Sequence, residues 1–206
     1  MDVSRPYTAV SSGIDIEVLV ALAGTTRPLT GRRVAEVVGH SQRGVLTVLD
    51  RLVEHGLVLR TAAGRALMHE LNRDHLAAPA VELLAGMRAE LVGRLREAFA
   101  DWKVAPVHAS IFGSAARGDG NTRSDVDLFV VRPASVDEEA AVWRSQVDGL
   151  IADVHSWTGN HAAIIEQAEP DLKRLQRSKP PVLKNLRRDG IDLVGTSLRE
   201  MLGTSR

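Results

Sequence analysis

Cysteine is absent from the 206 residues. Disulfides, thiolate metal sites and cysteine nucleophiles are therefore excluded. Aromatic residues are scarce, at 3%, so the core has to rely on Leu, Val, Ile and Ala. Net charge is absent as well, with 26 Lys and Arg set against 26 Asp and Glu. That balance argues against a chain that coats nucleic acid along its whole length, but it leaves room for a local basic patch. No apolar run approaches the ~20 residues of a membrane helix, so no membrane partner is expected. Residues 1–10 lack a basic stretch followed by an apolar one. No signal peptide is expected from them, and the cytoplasm is the expected compartment. What remains, 44% apolar and 25% charged residues, describes a globular protein of one large or two small domains.

Apolar spacing predicts short helices in the first third. Ile14, Val18, Leu19 and Leu22 recur at helical spacing across 15–23. Thr30 or Gly31 opens a second helix that runs through Val38. Ser41 is placed to cap a third helix reaching His55. Val45, Leu46, Leu49, Leu52 and Val53 form its apolar stripe, and Gln42, Arg43, Thr47, Asp50 and Arg51 are left for another surface. Residues 57–61 and 66–71 read as two strands joined by Ala62-Ala63-Gly64-Arg65. A long connecting helix is expected within 76–103, with Pro79 near its start, where a missing N–H costs nothing.

Beyond it, strands and helices alternate. Strands are expected at 107–112, 126–131, 161–165 and 191–194. Residues 126–131 are almost continuously apolar, as in a strand buried on both faces. Ser135 is expected to cap a helix through Ser156, and two further helices are expected at 170–177 and 182–188. Lys173, Arg174, Arg177, Lys179, Lys184, Arg187 and Arg188 form a basic region there.

The chemistry is concentrated in Ile111-Phe112-Gly113-Ser114-Ala115-Ala116-Arg117-Gly118 and Ser124-Asp125-Val126-Asp127-Leu128. A Gly-Ser turn leaves one strand, and two carboxylates spaced i, i+2 open the next. Residues two apart in a strand point to the same face. Two close carboxylates repel unless a cation or a proton lies between them. Beside a glycine turn that approaches phosphate closely, the pair suggests a Mg²⁺–nucleotide site. Gly113 and Gly118 also have Walker A spacing, but Asp119-Gly120 follows where that motif needs lysine and a hydroxyl. The P-loop reading is rejected.

Two resemblances follow from these residues. Three helices and a hairpin across 29–71 resemble the winged helix-turn-helix of bacterial regulators. That resemblance implies a recognition helix in the DNA major groove, with Gln42, Arg43 and Thr47 toward bases or phosphates and Arg65 at the wing tip. Residues 27–65 carry seven arginines against three carboxylates, an excess of four positive charges, as phosphate binding requires. The Gly-Ser and Asp-x-Asp segment resembles the DNA polymerase β-like nucleotidyltransferase superfamily, particularly its small prokaryotic members. That resemblance implies Gly113, Ser114 and Ser124 at the nucleotide and Asp125 and Asp127 as catalytic metal ligands for Mg²⁺, with Mn²⁺ as the alternative. It also implies an NTP substrate and an acceptor hydroxyl on a protein, a tRNA or a small molecule. A cognate toxin or antitoxin protein and a homodimer are compatible with it.

One expected group is missing. The family carries a third carboxylate on the neighbouring strand, and here Ala163 stands in its place. Glu166 is three residues on, which odd spacing puts on the other face; it serves as the third carboxylate only if the register shifts by one. The expected fold is α+β: a winged helix-turn-helix at 1–75, a connecting helix at 76–103 and a nucleotidyltransferase domain with a small mixed sheet at 104–206. The leading reading is a Mg²⁺-dependent nucleotidyltransferase. The alternative is a DNA-binding regulator whose second domain binds nucleotide or a protein without turnover.

Overall fold

In the computed structural model, which describes residues 1–178 and 180–201, the chain divides into two units: residues 6–87, and residues 1–5 together with 88–206. Lys179 of the basic region and residues 202–206 lie outside the described residues.

The first unit contains α1 (Ile14–Ala23), β1 (Leu29–Thr30), α2 (Gly31–Val38), α3 (Gln42–Glu54), β2 (Val58–Ala63) and β3 (Ala66–Leu71). Side-chain caps start two of its helices. Thr30 accepts the Arg33 N–H at 3.2 Å, and Ser41 accepts the Gly44 N–H at 3.2 Å; such caps contribute about 1 kcal/mol each. Val45, Val48, Leu49 and Leu52 of α3 pack with Val18, Leu19 and Leu22 of α1 and Val34 of α2. Val48 takes the core position that the sequence reading gave to Leu46, which is exposed. The i, i+3, i+4, i+7 stripe from Val45 selects Val48. β2 and β3 pair from Val58↔Leu71 to Ala63↔Ala66. Their connection is therefore the two residues Gly64 and Arg65, shorter than the expected four. β1, not anticipated from sequence, pairs with β3 to complete the order β1-β3-β2. The result is a winged helix.

α4 (Ala78–Ala100) contributes to the first unit up to Met87 and to the second from Arg88. The second unit continues with β4 (His108–Phe112), α5 (Gly113–Arg117), β5 (Val126–Arg132), α6 (Ala141–Thr158), β6 (Ala162–Ala168), α7 (Leu172–Ser178), α8 (Pro181–Asp189), β7 (Ile191–Gly195) and α9 (Leu198–Met201). The sheet order is β6-β5-β4-β7. β5 and β6 are parallel, and the other pairs are antiparallel.

Alternation along β5 explains its apolar run. Val126, Leu128 and Val130 face a core with Leu91, Leu95 and Phe99 of α4 and Trp143, Val147, Leu150 and Val154 of α6. Phe129 and Val131 face the other core, with Phe112, Leu172, Leu183, Leu186 and Leu198. Buried on both faces, β5 is held firmly where it presents Asp127 at its start.

Two elements differ from expectation. Ser135 caps no helix, and α6 begins at Ala141. The Asp137 carboxylate instead accepts the Glu139 N–H at 2.8 Å, forming a local turn. β6 extends to Ala168 because Arg132 is still available as its partner.

Residues 1–5 pack in the second unit, although the sequence reading grouped them with 6–75. Val3 is buried in the core beneath β5. The buried Asn160 amide donates to Met1 O at 2.9 Å and to Ser124 O at 2.8 Å. Asn160→Ala leaves both carbonyls without that donor. Denaturant unfolding of this unit is expected to show a loss of about 1–3 kcal/mol, the cost of stranding a buried polar group. Among the described residues, no helix is long and apolar enough to cross a membrane.

Candidate nucleotide and metal site

Phe112 ends β4 directly opposite Asp127 of β5. The chain then turns at Gly113 with φ +68°, a conformation that favours glycine. A Cβ at Gly113 would overlap Asp127 Oδ2 and stand 2.9 Å from its Cγ. The glycine therefore accommodates the carboxylate as well as the turn. Asp125 is exposed just before β5, and Asp127 is half-buried within it. Burial raises the Asp127 carboxyl pKa above its ordinary range, and the charge of Asp125 raises it further; Arg117 opposes both.

β6 supplies Ala163 as the neighbour of Asp127. Paired residues share a face, so a methyl group occupies the place where a third carboxylate was expected. Glu166 corrects the remaining expectation. It pairs in register with Val130, on the opposite face from Asp127. Its carboxylate accepts from Arg132 Nε at 2.6 Å. Among the described residues there is no group of three or more His, Cys, Asp or Glu able to hold a metal ion. Two carboxylates nonetheless suit Mg²⁺, which takes one or two from protein and fills its remaining positions with water and substrate phosphate. Burial first, and then the charge of Asp125, disfavour the ionised Asp127, and a cation beside it offsets both. Asp125 and Asp127 are thus the residues that would hold a divalent cation, with its remaining positions left to water and substrate.

The other expected nucleotide residues lie on the segments that flank this pair. Ser114 lies in α5, and a Cβ on Gly120 would stand 3.1 Å from its Oγ. The Ser124 hydroxyl accepts the Asn121 N–H at 3.0 Å, and the Ser124 carbonyl is held by Asn160. Arg117 donates to Asp119 at 2.9 Å and to Asp189 at 3.5 Å. Arg88 of α4 donates to Ala115 O and Ala116 O, holding the end of α5. Sequence reading missed Arg88 and Asn160. Their partners are distant in the chain and leave no local pattern.

On the first unit, Gln42, Arg43 and Thr47 are exposed on the first turns of α3, and Arg65 is exposed in the β2–β3 turn. The Thr47 hydroxyl donates to Arg43 O at 3.1 Å. Four of the seven arginines are in ion pairs: Arg32 and Arg33 with Glu36, Arg51 with Asp15, and Arg60 with Asp50. Arg27, Arg43 and Arg65 have no carboxylate partner among the described residues.

Residues 92–182 match the family model described as a nucleotidyltransferase domain. The match contains the Gly-Ser turn and both aspartates. Among solved structures, the chain is similar to the MarR family transcriptional regulator SPO1453 from Silicibacter pomeroyi DSS-3. Identity is 25% over 44% of this chain and 64% of that one, with a TM-score of 0.33. It is also similar to RV1404 from Mycobacterium tuberculosis, at 18% identity over 49% of this chain and 71% of that one, with a TM-score of 0.35. A MarR family regulator from Rhodococcus sp. RHA1 matches at 21% identity over 48% of this chain and 71% of that one, with a TM-score of 0.32. The chain thus spans less than two thirds of the first of these solved structures. No curated protein matches it.

Proposed function

We propose that the second unit transfers a nucleoside monophosphate from an NTP to an acceptor hydroxyl, in a Mg²⁺-dependent reaction. The observation that carries this reading is the packing of Gly113 against Asp127. It combines a turn without a Cβ with two carboxylates at one strand end, of which Asp127 is raised by burial and by the charge of Asp125. In this reaction the acceptor oxygen forms a bond to the α-phosphorus, the bond to the bridging oxygen breaks, and pyrophosphate leaves. Bound Mg²⁺ supplies neutralisation of the phosphate charge as pyrophosphate departs. Asp125 and Asp127 hold that ion, and Gly113 lets the backbone approach the phosphates. The Ser114 hydroxyl donates to a phosphate oxygen, with Ser124 in support. Ala163 offers nothing to take the acceptor proton, so the acceptor has to bring its own base or a hydroxyl that is already acidic. The proposed acceptors are a protein side chain, a tRNA end or a small molecule. A cognate toxin or antitoxin protein belongs among the candidates, and a homodimer is the assembly to test. The experiment uses NTPs labelled at the α-phosphate, with Mg²⁺ and these acceptors. Label transfer that disappears in Asp125→Ala and Asp127→Ala supports the reading, and the absence of transfer to any of them counts against turnover.

Ala163 favours a second reading, in which the same unit binds nucleotide without turnover and the winged helix binds DNA. Duplex binding is then expected to weaken steeply with salt. Arg43→Ala combined with Arg65→Ala is expected to lower the slope of log affinity against log salt by about 2, one phosphate contact each. Fluorescence anisotropy across a salt series measures it, and an unchanged slope removes these residues from the DNA interface.

A further inference from the structure

The N-terminal residues bring a second hydroxyl to the site. Val3 is buried in the core of the second unit. The Asp2 carboxylate accepts the N–H groups of Ser4 and Arg5 at 2.9 and 3.2 Å. Ser4 is thus fixed on both sides of its backbone. Its Oγ accepts the Gly120 N–H at 2.5 Å, in the loop between the Gly-Ser turn and Asp125. A Cβ on Gly120 would stand 3.1 Å from Ser114 Oγ and 3.2 Å from Ser4 Oγ. Both hydroxyls therefore lie against the place that a side chain at position 120 would take.

A hydroxyl whose lone pair takes an N–H still has its own proton to donate. Among the described residues, no acceptor is found for the proton of Ser4 or of Ser114. The Asp2 carboxylate is taken up by the Ser4 and Arg5 N–H groups, and Asp119, beside Gly120, is turned to Arg117. Two hydroxyl donors beside one glycine, one of them on the residue that follows Gly113 where it packs against Asp127, match a polyphosphate in acceptor number. We propose that Ser4 binds a terminal phosphate oxygen of the NTP together with Ser114, so that residues 1–5 form part of the nucleotide site. This rests on the nucleotide reading above and extends it to a residue outside the matched domain.

The test is calorimetric titration of the full chain, with Mg²⁺, using the four common NTPs. The monophosphate of the tightest binder is then measured by competition. Ser4→Ala is expected to weaken triphosphate binding roughly tenfold, the loss of one hydrogen bond to a charged group, and to leave the monophosphate unchanged. Gly120→Ala, which forces the hydroxyls apart, is expected to produce the same split. Thermal unfolding confirms that each variant is folded. Unchanged triphosphate affinity in Ser4→Ala overturns the proposal, as does a loss shared equally by the monophosphate, which marks a structural role. Failure of the unaltered chain to bind any of the four NTPs overturns the nucleotide reading itself, and the role of Ser4 with it.

Discussion

Alanine at position 113 is expected to abolish nucleotide binding by a chain that still folds. Gly113 has φ +68°, which costs a residue with a Cβ roughly 1–2 kcal/mol. The added methyl also takes the space of Asp127 Oδ2. Either Asp127 rotates away from Asp125, or β4 and β5 separate at Phe112. The second outcome is resisted by two cores, because β5 is packed on both faces. The carboxylate therefore yields, and the cation seat is lost. Even outer-shell changes at metal sites cost about 10–100-fold in affinity. Displacing a ligand is expected to cost at least the upper end of that range in Mg²⁺-dependent NTP affinity. Calorimetric titration of Gly113→Ala measures this, with urea unfolding alongside to show that the strain stays local. Affinity equal to that of the unaltered chain would mean that Asp127 does not act from the position seen here.

Asp127→Asn is expected to separate stability from function. Burial and the charge of Asp125 raise the Asp127 pKa above its ordinary 3.8. The folded chain then holds a proton that the unfolded chain has already released. Stability falls as pH rises from 3.8 through the raised native value, and the full cost is present at neutral pH. Asparagine keeps the shape and removes the charge. At pH 7 the variant is expected to need more denaturant to unfold than the unaltered chain. The advantage is expected to vanish as pH falls below both values. Mg²⁺ and NTP reverse the order, because a ligand that binds only the folded state stabilises the chain that binds it. Urea midpoints across a pH series, with and without Mg²⁺ and NTP, test both halves. If the variant is less stable at pH 7, the carboxylate is making a favourable interaction that this account omits.

Much of the architecture was legible because its signals are local. Ser41 and Thr30 begin helices with side-chain caps, and the apolar run of β5 announces a strand covered on both sides. The Gly-Ser and Asp-x-Asp pattern located the candidate site for the same reason. Parity alone set Glu166 on the face away from Ala163, and the Arg132 pair agrees with it. Other features depend on distant residues. β1 is two residues long and exists only because β3 lies beside it. The Ser135 cap failed because turn chemistry at Asp137 competes with helix initiation. Ser4 and Asn160 act across most of the chain, and neither has a neighbour in sequence that betrays its role. The Arg32, Arg33, Arg51 and Arg60 ion pairs were equally hidden, so the basic excess of the first unit overstated the charge left to meet phosphate.

The measurement that bears most directly on the central claim is NTP titration into the full chain, with and without Mg²⁺, beside the same titration into Asp127→Asn. Saturable binding that requires Mg²⁺ is expected, and it is expected to be lost in the variant, although the variant unfolds no more easily than its parent at pH 7. Binding that ignores Mg²⁺, or that survives intact in Asp127→Asn, would contradict that claim.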